Sequence, residues 1–394
     1  MLAITNAKIL TITDGVIPSG TVLIEGGKIK EVGAEVSPPE NAKIVDAQGM
    51  WLTPGFIDAH SHLAVFGEPA NWAHMDGNEM TDPVTPQLRA LDSFNAEDPG
   101  IKDVVRAGVT AVYTQPGSAN VIGGTGLMVK LRGNHVDEMR VPGVEHMKMA
   151  LGENPKRVYG EGKKTAPATR MANASTLRSA LVKAQNYMDK WEQWESGSEE
   201  DRKKGKPERD IGMEMLGKVL RREMKARIHC HRADDMLTAI RIAEEFDLDY
   251  SLEHATEGYR IADVLAEKKV TCVVGPLLMT RAKMELQYVT LKNPGILARA
   301  GVKVCIQVDG VSNTQYLPVE TGLAVREGMP EEEAFRAITI NPAELLGVED
   351  RMGSISPGKD ADLALFDGHP FHNFTKCQMV FIDGKTVYER SQEC

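Results

Sequence analysis

The sequence predicts an α/β fold, a (β/α)8 barrel joined to a small β domain that both chain ends build together. Three observations predict it. Residues 1–53 carry short strand patterns with no helical period. From residue 54 to about 348, strand-like segments alternate with amphipathic helical ones. After about residue 350 the β character returns. Strand, helix and strand repeated this often imply a parallel sheet, and about eight such units can close on themselves. An open doubly wound sheet is the competing arrangement.

The elements follow in order. ITNAKILTI alternates apolar and polar residues, and GTVLIEGGKIKEVG reads as two strands about Gly26-Gly27, a hairpin signal. KIVDAQGMWLTP then leads to Pro54-Gly55. FIDAHSH is a buried strand, PGIKDVVRAG a helix ending near Gly108, and VTAVYTQPG a strand. GLMVKLRG is the weakest of the strand patterns, and GVEHMKMALGEN contains another. ARIHCH, DYSLEHA, VTCVVGP and VKVCIQVDG complete the set. RADDMLTAIRIAEEF, EGYRIADVLAEKK, PGILARAG, LPVETGLAVREG and PEEEAFRAITINPAELLG read as helices between and after them.

Residues 174–225 break the rhythm. ASTLRSALVKAQNYMDKWEQWE reads as a helix, and the densely charged stretch from Asp189 to Asp210 reads as a solvated helix end and loop. A lid or subunit contact built on Trp191 and Trp194 is the sharper alternative. At the C-terminal end, turn signals at Pro357-Gly358 and Asp383-Gly384 punctuate short strands. The expected domains are therefore 1–53, the first part of a β-sandwich; 54–348, the barrel; and 349–394, the second part of the sandwich. Chain termini often lie close together, which allows the two outer parts to pair.

Composition narrows the function. The 394 residues carry a formal charge of −10. That balance argues against a nucleic-acid or anionic-membrane partner, which needs clustered Lys and Arg. No apolar run approaches the ~20 residues that span a bilayer, and the N-terminus lacks the pattern of a secretory signal. Cys230, Cys272, Cys305, Cys377 and Cys394 are few and widely spaced, with no CxxC pair. A disulfide framework is not expected, and a reducing cytoplasm is.

The histidines carry the chemistry. His60 and His62 end a strand, and residues two apart on a strand share a face, so both imidazoles can reach one metal. His229 and His231 end ARIHCH, His254 ends DYSLEHA, and Asp309 ends VKVCIQVDG. Any one of these alone is more simply a hydrogen-bonded mouth residue. Four strand ends that each offer His or Asp, in chain order, are the arrangement of a hydrolytic metal site at the C-terminal face of a barrel. VIGGTGLMVKLRG lacks the spacing of a phosphate loop and reads as a turn bordering the pocket. His74 lies in the loop after the first barrel strand and reads as a surface residue. His135 and His146 read as structural, and His369 and His372 as surface residues.

These motifs resemble the amidohydrolase superfamily of metal-dependent hydrolases, specifically its imidazolonepropionase-like and prolidase-like branch. The resemblance covers nearly the whole chain. It rests on PGFIDAHSH at 54–62, HCHRADD at 229–235, SLEHATEG at 251–258, Asp309 in VDG, and NPAELLG followed by GSISPGKDADLALFDG at 341–368. It implies a TIM barrel with a β-sandwich made from both chain ends. It implies that His60 and His62 bind the buried metal, and that His229 and His254 bind a second metal or share one. Asp309 then touches the metal-bound water and moves its proton, while His231 contacts substrate or supports a ligand. The bridging ligand stays open: Lys148 as a carbamate formed with CO₂, or Glu153 as a carboxylate. The cofactor implied is one or two divalent ions, zinc first and iron or manganese as alternatives. The implied activity is hydrolysis of a C–N bond in a cyclic amide, amide or peptide by a homo-oligomer acting on a small molecule. A deaminase of a small heterocycle and a non-catalytic scaffold are the rival readings.

Overall fold

A computed structural model describes residues 1–202 and 205–390, so Lys203, Lys204 and Cys394 lie outside the described residues. The chain begins with five strands: β1 (Leu2–Leu10), β2 (Val16–Glu25), β3 (Lys28–Gly33), β4 (Lys43–Asp46) and β5 (Trp51–Pro54). The Gly26-Gly27 turn joins β2 to β3 with positive φ at both glycines, as the hairpin signal predicts. The central segment supplies β6 (Phe56–Ser61), β7 (Val109–Thr114), β8 (Ile122–Thr125), β9 (Leu127–Lys130), β10 (Met147–Ala150), β11 (Ala226–Cys230), β12 (Tyr250–His254), β13 (Thr271–Val274) and β14 (Val304–Ile306). The chain closes with β15 (Leu363–Phe366), β16 (Cys377–Ile382) and β17 (Lys385–Glu389).

The two chain ends do pair. One sheet runs β17-β16-β15-β5-β1-β2-β3, with β4 beside β1. Strand β5 is its seam: it runs parallel to β1 and antiparallel to β15, with Leu52 opposite Leu365. Ile4, Ile9, Val22, Ile24, Leu52, Leu363 and Phe381 form an apolar cluster of their own there.

The central strands are buried along almost their whole length, as expected where helices cover a parallel sheet. β10 to β14 pair in sequence order, all parallel, and β6 pairs parallel with β7. The weak GLMVKLRG pattern is a strand, β9, but it runs antiparallel to β7, and β8 runs antiparallel to β10. The VIGGTG segment is thus largely strand rather than turn. The last predicted helix divides into Glu331–Arg336 and Ile340–Leu346. The link between them serves the sheet instead: the Ala337 carbonyl accepts from Ile306 N–H at 2.9 Å, and the Ile338 carbonyl from Ile57 N–H at 2.8 Å.

The helix expected from residue 174 extends over Arg170–Ser196. Lys206 lies over the rings of Trp191 and Trp194, at 5.1 and 5.4 Å from their centroids, so the two indoles are covered from within the chain. His369 is not the surface residue expected. Its ring meets Trp51 edge-on at 4.8 Å and leans on Phe335 and Phe371. Cys230, Cys272, Cys305 and Cys377 are free and buried. No helix among the described residues is long and apolar enough to cross a membrane.

A buried ion network ties the terminal sheet to the central strands. Lys130 on β9 is almost fully buried, and its ammonium lies 2.8 Å from Asp360, 2.9 Å from Asp362 and against Asp383. Arg132 donates to Asp383 at 2.7 Å and Arg351 to Asp360 at 2.9 Å. The acidic residues of GKDAD therefore hold the two parts of the molecule together.

Candidate active site

The converging histidines and Asp309 lie at or just beyond the ends of buried strands, and Lys148 lies within β10. His60 Nε2 and His62 Nε2 approach the same Asp309 oxygen, at 3.2 and 3.1 Å. His254 joins His60 and Asp309 within one group whose ligand-type atoms all lie within 4.8 Å of one another. His229, His231 and His254 form a second such group, so His254 is common to both. Lys148 Nζ lies 3.3 Å from His60 Nε2 and is fully buried.

The outer ring nitrogens are tied down. His60 Nδ1 donates to Glu253 Oε2, His62 Nδ1 to the Gln115 carbonyl and His254 Nδ1 to the Gly275 carbonyl, each at 2.7 Å. A carbonyl or carboxylate can only accept, so the proton sits on Nδ1 and the Nε2 lone pair is left facing inward. Gly275 has φ +140, and a Cβ there would lie 2.0 Å from the Gln307 carbonyl, so only glycine places its own carbonyl under His254. His254 and Asp309 themselves hold φ of +69 and +52, a conformation costly for non-glycine residues that concentrates at functional sites.

Burial lowers the pKa of His60, with Lys148 adding to it, and holds His229, His231 and His254 well below their ordinary value. Neutral imidazole is the form that binds a metal. Burial also works against the charge of Asp309, yet His254, His60 and His62 keep its carboxyl well below the usual range. Burial pushes the Lys148 ammonium down to about 8, although Glu253 and Asp309 oppose that shift.

The residues fit a divalent metal on one further observation. Both ring nitrogens of His229 are buried with no hydrogen-bond partner among the described residues. An unsatisfied buried polar group of this kind is costly and calls for a ligand. His60, His62, His229, His254 and Asp309 form a set of imidazoles and one carboxylate, with Lys148 beside them.

Of the two candidate bridging residues, Glu153 stands outside this group. Glu153 lies beyond β10, where its Oε2 accepts from the Glu285 N–H at 3.3 Å. His231 Nδ1 meets Thr256 Oγ1 at 2.7 Å, and its Nε2 faces Lys283 Nζ at 3.4 Å. His74 stands in a short turn, Trp72–His74, with its carbonyl on Gly67 N–H. His146 is buried against Tyr113, and His135 and His372 are exposed.

Several partners went unread in the sequence. Glu253 orients His60, and Arg227 holds Glu253 through both oxygens at 2.7 and 2.9 Å, with a third bond to the Ala59 carbonyl. Strand alternation could have found Arg227, since it shares a face with His229. Lys283 and Glu285 come from the loop after β13, where no periodicity points inward.

Known proteins resemble this chain over most of its length. The model of the amidohydrolase family matches residues 51–387. An amidohydrolase of Hapsidospora irregularis, tasK, is 29% identical over 94% of this chain, which spans 40% of that protein's length. The imidazolonepropionase of Streptomyces avermitilis is 25% identical, over 91% of this chain and 83% of its own. A solved amidohydrolase structure from Thermotoga maritima MSB8 is 46% identical, covers 99% of this chain and 100% of its own, and superposes with a TM-score of 0.93. These likenesses bring with them a TIM barrel plus an additional domain.

Proposed function

This chain belongs to the amidohydrolase family of hydrolases acting on carbon–nitrogen bonds, and from that membership we propose that it cleaves a small cyclic amide, amide or peptide. The observation that carries the proposal is the convergence of His60 Nε2 and His62 Nε2 on one Asp309 oxygen. In this reading His60, His62, His229, His254 and Asp309 hold one or two divalent ions, with zinc the first choice for imidazole and carboxylate donors. Lys148 would be the bridging residue, as a carbamate. Its support is the contact with His60, whereas the Glu153 carboxylate is engaged by the backbone of Glu285.

A bound divalent ion supplies Lewis acidity, lowering the pKa of water toward ~7 and polarising the carbonyl. The chain's own residues do the rest. Asp309 accepts the proton of the attacking water on Oδ1 and returns it to the leaving nitrogen. Glu253, the Gln115 carbonyl and the Gly275 carbonyl hold the histidine rings at fixed angles. His231 contacts substrate through Nε2.

The same reading assigns 54–348 to a closed eight-unit barrel and 1–53 with 349–394 to a β-sandwich. It takes the protein as a homo-oligomer of a reducing, cytoplasmic compartment. Buried free cysteines support the compartment.

The test is a panel of lactams, imidazolones, N-acyl amino acids, dipeptides and amino-substituted heterocycles, run on zinc-loaded protein. Ring opening or amine release is the expected result. Ammonia release from the heterocycles alone would replace this reading with a deaminase.

A further inference from the structure

Gln115 directly follows β7, beside the histidine group. Its N–H donates to the Ser61 carbonyl at 3.1 Å, which carries the β6–β7 pairing one residue past Thr114. Its carbonyl accepts from His62 Nδ1 at 2.7 Å. The backbone of this residue therefore already orients one imidazole. The side chain is fully buried, and neither its oxygen nor its nitrogen has a hydrogen-bond partner among the described residues. A carboxamide left unpaired in the interior costs stability. Leucine or methionine would fill the same space without that cost.

Strand alternation shows which way the side chain points. Tyr113, two residues earlier, turns its ring to the Arg227 guanidinium at 4.8 Å, and residues two apart on a strand share a face. Lys148 pairs with Arg227 across β10 and β11, so it lies on that face too. Gln115 and Lys148 thus face the same side of the sheet as His229. Glycines line the way between them. Gly124 pairs with Lys148, and a Cβ on Gly126 would fall 2.6 Å from Gln115 Cβ. A Cβ on Gly123 would lie 3.5 Å from Pro116 Cβ and 3.7 Å from Lys148 Cγ. The chain just after Gln115 is therefore separated from the lysine stem by a gap no wider than a methyl group.

Whatever pairs with this carboxamide must form inside the protein. No solvent reaches it, so a substrate arriving from outside does not meet it. Zinc takes imidazole, thiolate and carboxylate rather than a carboxamide. We propose that Gln115 is a positioning residue for the carbamate of Lys148, donating from Nε2 to a carbamate oxygen and accepting the carbamate N–H on Oε1. This rests on the reading of Lys148 as the bridging residue. The carbamate forms when the neutral amine of Lys148 adds to CO₂, making one N–C bond and releasing one proton to water. The product offers an N–H and an oxygen on one edge, the complement of a carboxamide.

The experiment follows the carbamate rather than turnover. Zinc-loaded protein is titrated with labelled bicarbonate, the source of CO₂, and the carbamate carbon resonance is recorded. Gln115→Met and Gln115→Leu both remove the donor and the acceptor. The bicarbonate needed for half-occupancy should rise roughly tenfold or more in each variant, the scale of one hydrogen bond to a charged group. Unfolding of the metal-free proteins is measured alongside, because its sign separates positioning from packing. With no partner to lose, the variants should be at least as stable as the wild type. Equal half-occupancy in the wild type and both variants would overturn the proposal. So would a loss of stability in the metal-free variants, failure to fold included, which would make Gln115 a residue of the fold alone. A wild type without a carbamate resonance at any bicarbonate concentration would sink the Lys148 reading and this proposal with it. A wild-type resonance that the variants match sinks only the role of Gln115.

Discussion

Glu253 and His60 meet at 2.7 Å inside a region where neither side chain has any exposure, and Arg227 closes on the far side of the same carboxylate. A buried carboxylate so placed fixes both the tautomer and the angle of a histidine and raises its basicity toward a metal. Burial works against the charge of Glu253, but Arg227 and His60 hold its pKa well below the ordinary value. Replacing Glu253 with Gln should weaken metal affinity roughly 10- to 100-fold. Competition with a chelator followed by metal analysis measures this without any substrate. Unchanged affinity would show that the ring is held by packing alone.

Arg227→Met acts on the same pair from the other end and should behave differently. It leaves a buried carboxylate without its cation, a change that typically costs about 3–5 kcal/mol. Denaturant unfolding should show the loss. Restoring neutrality with Arg227→Met/Glu253→Gln should recover much of it, while metal affinity stays low.

Asp309→Asn keeps the shape of the side chain and removes its ability to accept a proton. Turnover should fall by about 10²–10⁴, with metal content close to that of the wild type because His60, His62 and His254 remain. Activity near the wild-type level would remove Asp309 from the proton path.

Lys148 and Glu153 separate cleanly by experiment. With Lys148 as a carbamate, Lys148→Met should lower the metal stoichiometry, and labelled bicarbonate should give a carbamate resonance in the wild type that the variant lacks. Glu153→Gln should leave both unchanged. The opposite pattern would move the bridge to Glu153.

Much of this was legible in the sequence, for physical reasons that also mark the limit. Strand ends foretold that His60, His62, His229, His254 and Asp309 would gather, because parallel neighbouring strands deliver their last inward residues to the same side. Both chain ends read as β, and β5 does pair with β15. The antiparallel course of β8 and β9 was not legible, since a short apolar run has no direction. His369 was misread because the apolar residues that cover it, Trp51 and Phe335, come from distant parts of the chain. Lys283 and Glu285 were missed for a related reason: a loop carries no period, and only the fold shows that its ammonium turns back toward His231.

The network on Lys130 gives a prediction in acid. Burial works against the charge of Asp360, but bonds from Lys130 and Lys28 hold its pKa at about 2, below its ordinary 3.8. Asp383 is lowered as well, with Lys130 and Arg132 outweighing burial, whereas burial raises Asp362. For a carboxylate lowered by folding, the stabilisation is complete above the unfolded pKa and disappears as pH falls through the folded one. The share held by Asp360 is therefore intact at neutral pH and lost between about pH 4 and 2. Protonation of Asp362 acts in the opposite sense. Lys130→Met removes the cation shared by all three acids and should destabilise the fold by about 3–5 kcal/mol at neutral pH. Lys28, Arg132 and Arg351 still attract these carboxylates, so the acid limb should move to higher pH without vanishing. Melting temperature followed from pH 7 downward tests both statements. An acid limb identical in the two proteins would mean that Lys130 does not set the charge of Asp360.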